Sequence, residues 1–258
     1  MIQTDPPRPP QEVLPTMYDL PSEDPEEPGL PDEFHDFQPQ LLRETFKPPN
    51  YPANQIFVAT DLNLYYDVRH LNWYKRPDWF AVVGVPRLYQ GSDLRLSYVM
   101  WQEQVKPLIV VELLSPGTEK EDLGETERED RQPPTKWEVY ERILGIPYYV
   151  LFDRYTNQFR AFRLENSGYR EVIAEDKLWL SEVTLGLGLW YGTFQGMERL
   201  WLRWYDAQGN WVATEVERER HRAEQERQRA EQERQRAEQE RQRADRLEAE
   251  LKALRGEL

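Results

Sequence analysis

Leu108-Ile109-Val110-Val111-Glu112-Leu113-Leu114-Ser115-Pro116-Gly117 is the stretch whose reading decides the fold. Its apolar residues do not alternate with polar ones, so it reads as a strand buried on both faces, inside a sheet that is covered on either side. One carboxylate, Glu112, stands near its end, and a buried carboxylate is costly unless something pairs with it. Ser115-Pro116-Gly117 break the run. A polar, mostly acidic loop then leads through Pro133-Pro134 to Thr135-Lys136-Trp137, the start of a helix expected over about Thr135–Leu144. Pro134 near its first turn and Gly145-Ile146-Pro147 after its last mark that helix at both ends.

Outward from this stretch, Tyr148–Asp153 and Phe159–Leu164 read as strands with Thr156-Asn157 in the turn between them. Upstream, Gln55–Tyr66 and Trp79–Val85 carry the β-branched and aromatic bias of strands. Strand, helix, strand and an antiparallel continuation predict an α/β mixed sheet. A short helix is expected over Asp36–Phe46, with Phe37, Leu41 and Leu42 on one face and Pro48-Pro49 ending it. Leu178–Thr214 is dense in tryptophan and glycine. It reads as an added aromatic sheet sealing the core, with Asp206–Asn210 as a hairpin loop.

Three regions follow. Residues 1–36 form a proline-rich acidic arm with too little apolar surface to offset chain entropy, so it is expected to be largely disordered. Residues 37–214 form the main domain with its aromatic extension. Residues 215–258 form a charged helix in which Ala223-Glu224-Gln225-Glu226-Arg227-Gln228-Arg229 recurs at Ala230 and Ala237. That heptad has a poor seam of alanine and glutamate. Only Leu247, Leu251, Leu254 and Leu258 make an apolar stripe, which points to a short terminal zipper and a homodimer formed through it.

The net charge of −14 argues against a nonspecific polyanion binder, but −9 of it lies between Met1 and Asp36, which leaves room for a local basic groove further on. Cysteine is absent, so there is no disulfide framework, thiolate zinc site or cysteine nucleophile. The N-terminus has no secretory pattern, and no apolar run approaches the ~20 residues of a membrane span. A soluble, cytoplasmic protein is expected. His35, His70 and His221 have no metal-ligand spacing and read as surface residues. Gly117–Gly124 is not a phosphate-binding P-loop, and Ser115 lacks a nucleophile-elbow context.

Pro77-Asp78 stands just before the strand Trp79–Val85. If that strand neighbours Leu108–Leu114, Asp78 and Glu112 emerge at one end of the sheet. Two adjacent carboxylates repel, and a hard divalent cation, Mg²⁺ or Mn²⁺, relieves the repulsion. With Lys136 beside them, they make up the parts needed to hydrolyse a phosphodiester. Taken singly, Asp78 also reads as a turn residue and Glu112 as an edge acid paired with a base. Asp61 reads as an accessory acid or a solvent-facing strand residue. Tyr140, one turn after Lys136, reads as a core tyrosine or as a support for the site.

Pro77-Asp78, Val111-Glu112-Leu113-Leu114-Ser115-Pro116, Lys136-Trp137-Glu138-Val139-Tyr140 and Gly145–Asp153 resemble the Uma-type endonuclease family of the PD-(D/E)XK nuclease superfamily, over roughly residues 41–189. The resemblance implies a restriction-endonuclease-like mixed sheet flanked by helices, here with a C-terminal aromatic β-hairpin and a long charged helical tail. It implies Asp78 and Glu112 as metal ligands, Lys136 as the third catalytic residue, Mg²⁺ or Mn²⁺ as cofactor and DNA as substrate. The usual motif has lysine two residues after the second acid. Leu114 stands there, and the family's own pattern instead places a lysine on the following helix, which Lys136 matches. The alternative is a catalytically degenerate nuclease fold that recruits partners through its helical tail.

Overall fold

In the computed structural model, which describes residues 32–115, 122–124, 132–166, 168–172 and 177–255, the deciding run becomes the fully buried strand β6, Ile109–Leu114. The other strands are β1 (Ile56–Ala59), β2 (Leu64–Tyr65), β3 (Tyr74–Lys75), β4 (Trp79–Val83), β5 (Tyr98–Val99), β7 (Tyr148–Asp153), β8 (Gln158–Glu165), β9 (Gly168–Glu171), β10 (Lys177–Leu180), β11 (Leu185–Phe194) and β12 (Met197–Tyr205). Helices are α1 (Glu33–Thr45), α2 (Met100–Glu103), α3 (Lys136–Glu138, continuing as a π-helix over Val139–Ile143) and α4 (Glu215–Arg255). The arm before Asp32, and with it the expected disorder, lies outside the described residues.

The main sheet runs β1-β4-β6-β7-β8-β9. Only β6 and β7 are parallel; every other pair is antiparallel. This is the mixed sheet of a restriction-endonuclease-like fold. Its faces follow from the parity of β6. Ile109, Val111 and Leu113 pack with α1 (Phe34, Leu41, Leu42) and with Trp201, Leu202 and Trp204 of a second sheet, β10-β11-β12. Val110 and Leu114 pack on the other face with Val139 and Tyr140 of α3 and with Phe57, Leu64 and Tyr98. Full burial of a side chain such as Leu41 or Leu42 stabilises the fold by about 1.5–3 kcal/mol.

Local chemistry sets the element ends. Asp32 caps α1, its side chain accepting from Phe34 N and His35 N, so the helix starts at Glu33, earlier than the Asp36 expected. Gln38 on α1 bonds Leu202 through both ends of its amide, accepting from N (2.8 Å) and donating to O (2.9 Å), which ties β12 to the helix. The stretch Gln55–Tyr66 is two strands, not one. It breaks at Asp61, which takes a left-handed backbone at φ 51°. The aromatic hairpin β11–β12 turns at Gln195-Gly196, both with positive φ (50° and 78°), as a tight two-residue hairpin requires. Asp206–Asn210 closes a second, smaller return, with a single bridge between Tyr205 and Trp211.

The chain divides into two compact units, up to Val212 and from Ala213. The second is dominated by α4, whose first turn is fixed by a reciprocal bond: Glu217 accepts from Thr214 N (2.8 Å) and Thr214 Oγ1 accepts from Glu217 N (3.2 Å). Among the described residues no helix is long and apolar enough to cross a membrane.

Candidate active site

Asp78, Glu112 and Lys136 converge. Antiparallel pairing of β4 with β6 sets Trp79 against Val111, so Asp78 stands beside Glu112 at the end of the ladder. The Asp78 N–H donates to Glu112 Oε2 (3.4 Å), and Asp78 Oδ2 accepts from the Leu113 N–H (2.6 Å). From α3, Lys136 Nζ reaches Glu112 Oε2 (3.1 Å), and the Tyr140 hydroxyl donates to Glu112 Oε1 (2.8 Å). Lys136 and Tyr140 are four residues apart and so share a helix face. The π-helical turn that follows closes with Leu144 N–H on the Val139 carbonyl, and Gly145 (φ 59°) ends the helix.

Lys136 has a second partner that sequence reasoning did not single out. Its Nζ lies 2.7 Å from Asp122 Oδ1. Asp122 and Glu112 are buried (1% and 0% exposed), whereas Lys136 keeps 16%. The Tyr149 hydroxyl donates to the Asp122 carbonyl (2.9 Å), fixing the segment from below. At Gly124 (φ 73°) an added Cβ would come within 2.9 Å of the Trp137 ring, so glycine lets the segment lie directly on α3.

His35, expected at the surface, is 3% exposed and part of this assembly. The reason lies in the ladder. The β4–β6 pairing ends at Trp79 and Val111, so the Leu113 carbonyl lies beyond it and takes no ladder hydrogen bond from β4. His35 Nε2 supplies that hydrogen bond at 3.1 Å, and its Nδ1 meets Asp32 Oδ1 at 3.0 Å. A carbonyl and an ionised carboxylate both only accept, so this pair of contacts favours the doubly protonated ring. Burial alone would lower the His35 pKa. The bond to Asp32 and the charges of Asp78 and Asp32 outweigh it and raise the pKa.

The other two histidines are exposed. His70 stacks on Trp73, and His221 lies on α4. Asp61 is no part of the convergence: it pairs with Arg76 through Oδ1 (2.9 Å) and Oδ2 (2.5 Å). Leu114, two residues along β6, packs on the same face as Glu112, the face that Lys136 reaches from α3.

Electrostatically, three carboxylates face one ammonium on this side of β6. Burial pushes the Glu112 carboxyl up to about 8, and the Asp122 and Asp78 charges push the same way; Lys136 and the Tyr140 hydrogen bond oppose them. Asp78 is likewise raised, by burial first. For Lys136 burial pulls the other way, but Glu112, Asp122 and Asp78 hold it well above the ordinary lysine value. A deficit of positive charge among buried oxygen donors suits a hard divalent cation. Among the described residues no cluster of three or more acids and histidines has metal-binding geometry on its own. Mg²⁺, however, is commonly held by one or two carboxylates with water and phosphate oxygens, which Asp78 and Glu112 fit.

A family model described as Uma2, "Putative restriction endonuclease", matches residues 15–195, more than two-thirds of the chain. The chain belongs to the Uma2 family. No curated protein matches it. The Uma2 match contains Asp78, Glu112, Asp122, Lys136 and Tyr140, as well as His35, and it stops at the hairpin turn of the aromatic sheet, before β12.

Proposed function

We propose that this Uma2 chain is a cytoplasmic, metal-dependent endonuclease that hydrolyses DNA phosphodiester bonds, with Asp78, Glu112 and Lys136 as its catalytic residues. The observation that carries the reading is the 3.1 Å contact between Lys136 Nζ and Glu112 Oε2. It supports a lysine that has moved to α3 while its charge still reaches the second acid. That contact weighs against one support of a degenerate, partner-binding fold, the missing lysine at Leu114; the acidic balance and the large charged tail are its others.

In this mechanism Asp78 and Glu112 would hold Mg²⁺ or Mn²⁺, which supplies an activated water and neutralises phosphate charge. Tyr140 and Lys136 fix the two oxygens of Glu112, so the carboxylate is oriented before substrate arrives. Lys136 stays protonated, held by Glu112 and Asp122, and so acts on the developing phosphate charge as a fixed cation, not as a base. The Tyr140 hydroxyl also stays protonated, because burial and the Glu112 charge raise its pKa well above the ordinary value.

Nicking of supercoiled plasmid with Mg²⁺ tests the proposal: wild type nicks, while Asp78→Ala and Lys136→Ala do not. Equal nicking by all three would sink it. Calorimetry adds a second readout, since Mg²⁺ or Mn²⁺ binding is expected to vanish in Glu112→Ala. We also propose that α4 associates with a second copy through Leu247 and Leu251, which are about half exposed.

A further inference from the structure

Two arginines lie at the same end of the sheet, on the face covered by α1. Arg154 directly follows β7, whose last residue pairs with Leu114 at the end of β6, and Arg199 comes from β12. Arg199 Nη2 donates to the Arg154 carbonyl (2.7 Å), and both guanidinium groups lie over the Phe34 ring, 5.7 Å (Arg154) and 4.5 Å (Arg199) from its centroid. Backbone and aromatic contacts hold the two guanidinium groups side by side.

Only Asp32 neutralises them, among the described residues. Its Oδ2 is 2.8 Å from Arg154 Nη2, and its Oδ1 is already engaged by His35. No described carboxylate pairs with Arg199, whose hydrogen bonds go to the Leu200 and Arg154 carbonyls. Arg154 Nε is buried without a hydrogen-bond partner, although its side chain keeps 23% exposure. Burial first, and then repulsion from the neighbouring guanidinium, lower the Arg199 pKa from its ordinary value, against the opposing charge of Asp32. An anion would relieve that repulsion, and planar guanidinium forks match phosphate oxygens.

The pair also has a defined relation to the acids. Arg154 meets Asp32, Asp32 meets His35, His35 meets the Leu113 carbonyl, and the Leu113 N–H meets Asp78. One end of β6 thus carries an acidic cluster on one face and a basic pair on the other. We propose that Arg154 and Arg199 form a phosphate-binding site that holds the nucleic-acid backbone next to the phosphodiester presented to Asp78 and Glu112. This rests on the endonuclease reading and adds to it a residue, Arg199, that lies beyond the family match at residue 195.

The test uses the full chain in metal-free buffer and two probes: inorganic phosphate by thermal shift, and a short fluorescent DNA duplex by anisotropy across a salt series. Phosphate should raise the midpoint of the wild type but not of Arg154→Gln or Arg199→Gln, with Arg199→Lys in between. Duplex affinity should fall about tenfold in each Gln variant, and the slope of log K against log salt should drop by about one. Midpoints in phosphate-free buffer check that the variants fold. Equal phosphate shifts and equal salt slopes in wild type and both Gln variants overturn the proposal. So does a wild type that responds to neither probe, and so does an Arg199-dependent phosphate shift without duplex binding. Arginine-dependent duplex binding by a wild type that never cleaves with Mg²⁺ keeps this site and removes the nuclease reading; cleavage with arginine-independent binding does the reverse.

Discussion

At the scale of single residues, Glu112 takes a lysine on one oxygen and a tyrosine on the other, inside a site with too few cations for its acids. Its carboxyl sits near 8, above the ordinary 4.5, so the folded chain keeps a proton there that the unfolded chain releases. The resulting stabilisation is complete below about pH 4.5 and is lost as pH rises through about 8. The metal-free thermal midpoint should therefore fall from pH 5 to pH 9, and Glu112→Gln should flatten that fall; parallel curves for the two proteins would refute the assignment. Lys136→Met leaves Glu112 and Asp122 without their ammonium and should cost about 3 kcal/mol in urea unfolding as well as ~100-fold in nicking. The convergence of Asp78, Glu112 and Lys136 was legible from the strand and helix patterns taken together with the family resemblance, whereas either acid alone also read as an ordinary turn or edge residue. Asp122 and His35 were not legible. Asp122 meets Lys136 from a segment that lies on Trp137 at Gly124, and His35 meets a Leu113 carbonyl beyond the end of the β4–β6 ladder, contacts between parts distant in sequence.

At the scale of elements, β6 and α3 each offer a backbone position from which an ammonium can reach Glu112. Leu114 shares the face of Glu112, and Lys136 arrives at that face from the helix. Leu114→Lys introduced into Lys136→Met should therefore restore part of the nicking lost in Lys136→Met alone. No recovery would mean that the charge must come from the α3 side, where Asp122 also holds it. The sheet itself was readable, since β6, β7 and β8 follow the apolar patterns with boundaries within a residue or so. Two elements were less so. Gln55–Tyr66 keeps its strand composition across Asp61, yet the left-handed backbone there splits it. The helix around Lys136 has well-marked ends, but its π-helical turn depends on packing Val139 and Tyr140 against the sheet, which no local pattern announces.

At the scale of the molecule, the two compact units differ in kind. The first buries two apolar clusters on either side of its main sheet, whereas α4 is exposed along nearly its whole described length. Along its exposed face run ion pairs such as Arg234 with Glu231 (3.0 Å) and Lys252 with Glu248 (2.9 Å). If Leu247 and Leu251 join two copies, sedimentation velocity of Leu247→Glu/Leu251→Glu should show a smaller species than the wild type at equal concentration. An unchanged coefficient would remove the association. Within the first unit, the early end of the β4–β6 ladder makes α1 a structural creditor of the sheet. Whatever sits at position 35 must return an N–H to Leu113 or leave a buried carbonyl orphaned, at about 1–3 kcal/mol. The helix and the end of the ladder are thus one specification written in two places. His35→Leu should destabilise the chain in urea unfolding, and His35→Gln, whose amide keeps a donor, should do so less; equal losses would refute the link.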